Sequence, residues 1–132
     1  MEEWLNSILR RIAEGSLLPA AYFAELDLDA ALDSRDRDGT FDASWVRLSE
    51  AIACRWAGAA VPETLRALAE DIRRESFQAV SRATGQHEIA SYVSDDLDLV
   101  VRGRLVGLGE PLLDQLWHVY DVGKFPSPPL RG

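Results

Sequence analysis

The residues best equipped for chemistry in this chain lie between Thr84 and Asp98. If this stretch is one helix, His87, Ser91 and Asp95 stand four apart along one face. Glu88, Tyr92 and Asp95 or Asp96 then line the face beside it. An imidazole, a phenol and two or three carboxylates in one strip could grip a small ligand or a divalent ion, or move protons. A metal-binding helix repeats histidine four residues on, whereas here Ser91 holds that place. His118, the only other histidine, or Arg82 would have to be carried across by the fold. The same residues also suit helix starts. Glu88 after Gly85 gains from the positive end of a helix, and Ser94 could cap a new one before Asp95 and Asp96. His87, Glu88, Tyr92, Asp95 and Asp96 are the candidate ligand-binding set, with no metal or cofactor assigned.

A second stretch, Ser34 to Trp45, echoes a calcium loop. With Gly39 at the sixth position, Ser34, Asp36 and Asp38 fall at one, three and five, and Asp42 at nine. The twelfth position must supply a bidentate glutamate and is instead Trp45, so the shell of a hard cation cannot close. An acidic turn ending in a helix cap explains the run. Cys54 has no nearby histidine to activate it and reads as a small buried hydrophobe. No nucleophile elbow, phosphate-cradling glycine loop or dinucleotide fingerprint occurs, so no catalytic residue is assigned and the reading leans away from an enzyme.

Charge narrows the partners. The 132 residues carry 14 basic and 22 acidic side chains, a net charge of −8. Seven carboxylates crowd between Glu25 and Asp42, against Arg35 and Arg37 alone. Glu25, Asp29, Asp33, Asp36 and Asp38 are the candidate partner-binding residues of this acidic run, since such a field steers and speeds association with a basic protein. Nucleic acid is disfavoured as a partner, because phosphate contacts need clustered positive charge. The one basic run on a candidate helix, Arg73, Arg74 and Arg82, is offset by Glu70, Asp71 and Glu75. Thirteen of the fourteen basic residues are arginine, a bias read as G+C-rich bacterial codon usage. A single cysteine and the lack of a signal peptide or of a long apolar run point to a cytoplasmic chain without a membrane span.

The elements that must position these residues are helical almost throughout. Trp4, Leu5, Ile8, Leu9 and Ile12 recur at three and four, and Gly15 stops that helix. Pro19 opens a second, which should end near Ser34 and give way to a polar connection as far as Asp42. Asp42 then caps a third helix, with Phe41 stapled against Val46 and a stripe of Trp45, Leu48, Ile52 and Trp56. A fourth runs from Pro62 to Gly85. Residues 97–108 admit helix or hairpin, because Leu97, Leu99 and Val101 alternate before Gly103; helix is preferred, since a lone hairpin among helices is marginal. The last helix runs from Pro111 to Gly123. Trp45, Trp56 and Trp117 are expected in the core and Trp4 partly exposed at an interface.

The expected fold is all-α: a compact bundle of five or six helices in one domain, residues 1–123, with an extended proline-rich tail, 124–132. The expected function is a non-catalytic acidic interaction module of inhibitor, immunity or adaptor type, or a nucleic-acid mimic, binding a basic protein. The alternative is a helical ligand- or metal-binding protein that uses His87, Glu88, Tyr92 and Asp95. Oligomeric state is left open by the sequence.

Overall fold

Two residues, Gly85 and Gln86, turn the chain between helices of 22 and 19 residues and so make them antiparallel neighbours. Gly85 takes a left-handed φ of 68°, a conformation a side chain would strain, and its N–H donates to the Ser81 carbonyl. The computed structural model describes residues 1–130 and is helical, with no strand among them. Its elements are α1 (Glu2–Glu14), α2 (Ala20–Glu25), α3 (Leu28–Arg37), α4 (Gly39–Gly58), α5 (Glu63–Thr84), α6 (His87–Leu105) and α7 (Pro111–Asp121).

α6 is the central post, with ten of its nineteen residues buried. Ile89, Ala90, Val93, Leu97 and Val101 pack with α1 and α5, around Leu5, Ile8, Ala69, Ile72 and Val80. Leu99 and Val100 face the other way, into a second cluster with Phe41, Leu48 and Ile52 of α4 and Leu113 and Leu116 of α7. This two-sided burial explains the alternation of Leu97, Leu99 and Val101, and the hairpin alternative is excluded. Gly103 makes no turn. It lets α4 and α7 approach α6, since a Cβ there would lie 2.6 Å from Leu113 Cδ1 and 3.3 Å from Ile52 Cδ1.

The helix count is seven rather than five or six. The expected second helix breaks at Leu26, and Asp27 restarts the chain by accepting the Ala30 N–H at 3.1 Å. α3 then runs past Ser34 to Arg37, into the first part of the expected polar connection, and α4 takes up the rest from Gly39. The cap of α4 is Asp38, which accepts the Phe41 N–H at 2.9 Å; Asp42 already lies within the helix. Val46 is 43% exposed, so the expected staple does not form. α6 passes Ser94 unbroken. Cys54 is exposed, on the outer side of α4.

The four tryptophans all sit at the margins of the core, half-buried. Trp4 meets Trp117 edge to face at 5.4 Å, and Arg66 and Arg102 stack on Trp56 at 4.6 and 4.4 Å. Beyond α7, residues 124–130 carry no helix, yet Phe125 and Pro126 are buried, and the Phe125 N–H donates to the Tyr22 hydroxyl. Arg131 and Gly132, the end of the expected tail, lie outside the described residues. Among those described, no helix is long and apolar enough to cross a membrane.

Candidate functional site

Asp96 occupies a position of apolar register on α6, three residues after Val93 and four before Val100, and is wholly buried. A carboxylate there must be paired, because an isolated charge in the interior costs far more than the fold can supply. α3 delivers the partner. Ala31, Leu32 and Arg35 lie on its inner side, and Arg35 is only 6% exposed. Its two terminal nitrogens each donate to one Asp96 oxygen at 2.8 Å, the bidentate fork that guanidinium and carboxylate geometry favour. Trp45 Nε1–H of α4 donates to Asp96 Oδ1 at 2.9 Å, and the Tyr120 hydroxyl of α7 to Oδ2 at 2.6 Å. One carboxylate thus ties four helices together.

Aromatic rings close around the cation. The Arg35 guanidinium lies 4.7 Å from the Phe41 ring centre, 5.3 Å from Phe125 and 5.5 Å from Tyr92. Burial works against the Arg35 charge, but Asp96 more than offsets it and holds Arg35 above its ordinary pKa. Burial, together with the Asp96 charge, pushes the Tyr120 phenol well above its usual range.

Above this pair a cleft of about 170 Å³ opens between α3, α4 and α6. Arg35 and Asp96 lie at its base, Phe41, Trp45 and Tyr92 form its sides, and Asp36, Asp42 and Asp95 stand around it. The Tyr92 hydroxyl donates to Asp36 Oδ1 at 2.5 Å; this bond, with burial second, raises the Tyr92 pKa to about 12. Asp95 also lines two neighbouring clefts, one shared with Trp45, Asp98 and Arg102, the other with Phe77, Ser91 and Ser94. Burial raises the Asp95 pKa, the charges of Asp96 and Asp98 add to this, and Arg73 at 3.4 Å opposes it.

The strip read from the sequence is therefore divided. Tyr92, Asp95 and Asp96 meet at the cleft, whereas His87 and Glu88 are exposed one or two turns away and do not line it. His87 stacks on Phe77 at 5.7 Å and hydrogen-bonds through Nδ1 with the Ser81 hydroxyl. Asp96 is not part of an open strip, because its register points it inward. Neither His118 nor Arg82 faces the cleft; both are exposed elsewhere. Among the described residues no three of His, Cys, Asp and Glu converge as a metal would require.

The acidic run is divided too. Asp36 stands at the cleft, joined by Asp42. Asp38 and Asp27 serve as helix caps, while Glu25, Asp29 and Asp33 face solvent, Asp33 beside Arg37 at 3.6 Å. Sequence reasoning missed Arg35, read as a charge offset in a loop, and gave Trp45 and Tyr120 apolar roles only. The available signal was register: Arg35 follows Ala31 and Leu32 at four and three, where an amphipathic helix keeps its inner face.

A family model described as Immunity protein PIM1 matches residues 7–127, most of α1 and all of α2 to α7. No curated protein matches the chain.

Proposed function

This chain belongs to the immunity protein PIM1 family, and from that premise we propose that it binds a toxin protein and blocks its action. The observation that carries the reading is the extent of the match, which takes in every member of the Arg35–Asp96–Trp45–Tyr120 network and every residue of the cleft above it. The net charge of −8 and the exposed carboxylates Glu25, Asp29 and Asp33 support a basic surface on the partner, because opposite fields accelerate encounter and disfavour wrong partners. Binding without catalysis accords with a site whose buried groups already satisfy one another. The arginine bias and the single cysteine support a bacterial cytoplasm as the place of action.

The ligand-binding alternative built on His87, Glu88, Tyr92 and Asp95 has less support, since its first two members lie away from the cleft. Co-expression with a toxin protein that the purified chain captures tests the main reading. Growth should be restored, and the two purified chains should elute together as a stoichiometric complex whose formation slows with salt. Continued growth arrest despite folded, abundant protein would overturn it.

A further inference from the structure

We propose that the cleft between α3, α4 and α6 receives an arginine side chain of the partner protein, an assignment that rests on the immunity-type reading above. The cleft's charge is the first argument. Arg35 and Asp96 neutralise each other at its base, which among the described residues leaves Asp36, Asp42 and Asp95 as its outward charges, with Arg73 against Asp95. An anion is repelled there, and a cation finds three carboxylates. Among the described residues Asp36 accepts one hydrogen bond, from Tyr92, and a carboxylate offers about four acceptor directions.

Preorganisation is the second argument. Trp45 is pinned at its indole N–H by a wholly buried aspartate, and Tyr92 is pinned at its hydroxyl by Asp36. Side chains fixed before binding lose no rotamer freedom when a ligand arrives, so the contact keeps more of its gross energy. Size is the third. A space of about 170 Å³ holds roughly five to six groups of water's size, at about 30 Å³ each. That suits the planar head of arginine and the end of its stem. Arginine's flat fork can also bond two carboxylates while stacking flat against an indole, a geometry that the compact, strongly hydrated lysine ammonium does not share. The raised pKa of Asp95 is consistent with a carboxylate already partly removed from water.

The test uses the full chain labelled with ¹⁵N and two probes, N-acetyl-arginine amide and the neutral isostere N-acetyl-citrulline amide. The arginine probe should shift the Trp45 indole N–H signal saturably, with a dissociation constant of about 1 mM for so small a ligand. The shift should disappear in about 0.5 M salt, where screening reaches only a few ångströms. The citrulline probe should leave the signal in place. The double variant Asp42→Asn, Asp95→Asn removes two outer carboxylates without touching the buried network, and should weaken arginine binding about tenfold. Asp42→Asn alone, at an exposed position, provides the same readout at smaller size should the double variant fail to fold. Equal shifts from the two probes, or undiminished arginine binding in the variants, would overturn the assignment. Loss of protection in the co-expression assay with arginine binding intact would instead overturn the immunity reading.

Discussion

The two sides of α6 are held by different forces. Toward α1 and α5 the buried core is apolar, with Leu5, Ile8, Ile72, Val80 and Val93 fully enclosed, and the ion pairs that join α5 to α6, such as Arg73–Asp95 and Arg102–Glu70, lie at its solvent edge. Toward α3, α4 and α7 the apolar set is smaller, and the helices are also fastened by charge-assisted hydrogen bonds converging on Asp96. Apolar burial is non-directional and fixes how much surface is covered. A bidentate ion pair and two further donors fix distance and angle as well. The side that carries the cleft is thus the one whose geometry is specified bond by bond, as a recognition surface requires.

The sharpest break of this contrast is Asp96→Ala. It leaves a buried guanidinium unpaired and strands the Trp45 and Tyr120 donors, so the expected cost is about 3–5 kcal/mol by urea denaturation. On the other side of α6, Ile72→Val should cost about 0.5–1.5 kcal/mol. Trp45 fluorescence should also change in the Asp96 variant, because its indole loses its anchor. Equal costs for the two substitutions would mean that the polar network adds nothing to apolar packing.

The same contrast explains what could be read in advance. The α1 and α5 side follows from periodicity: stripes at three and four predicted these helices, and Gly15 and Gly85 their ends. The other side broke the expected pattern wherever a polar residue took an apolar position. Arg35 looked like loop charge because its partner is 61 residues away, and nothing local announces a pair at that separation. The break at Leu26 and the continuation through Asp36 were missed for a related reason. Asp27 and Asp38 are equally good as solvated charges or as caps, and only the packing of Leu32 and Arg35 selects the second role. Of the cleft, Tyr92 and Asp95 were visible as a helical strip. Its α3 edge, Arg35 and Asp36, was hidden inside the supposed loop.

Tyr120→Phe sharpens the comparison at lower cost. Asp96 keeps the Arg35 fork and the Trp45 donor, so losing one bond to a charged acceptor should cost about 1.5 kcal/mol. It should also alter the alkaline limb of stability. Burial first, and the Asp96 charge second, hold the Tyr120 phenol protonated in the folded state well above its usual range, whereas the unfolded chain releases that proton near pH 10. Above that pH the unfolded state binds fewer protons, so stability is full below about pH 10 and falls as pH rises. Tyr92, raised to about 12, adds to the fall between about pH 10 and 12. Urea titrations from pH 8 upward should show a shallower decline in Tyr120→Phe; an unchanged slope would remove Tyr120 from the account. Asp38→Ala comes next, at about 1 kcal/mol for a lost cap, with the first turn of α4 loosening near the cleft.

The smallest effect belongs to the same chemistry placed in water. Arg11 donates through one nitrogen to Asp121 Oδ1 at 2.5 Å and through another to the Asp121 carbonyl at 2.7 Å, joining the ends of α1 and α7. It also lies in the last turn of α1, where a cation complements the helix dipole. Its side chain is 27% exposed and that of Asp121 48%, compared with 7% and 0% for Arg35 and Asp96. Water solvates either charge when the other is removed, so no stranded ion remains. Arg11→Gln should therefore cost only about 0.2–1 kcal/mol, and less in high salt. The comparison rests on that gap. If Arg11→Gln destabilised as much as Asp96→Ala, or if salt left its effect unchanged, burial would not be what separates the two pairs.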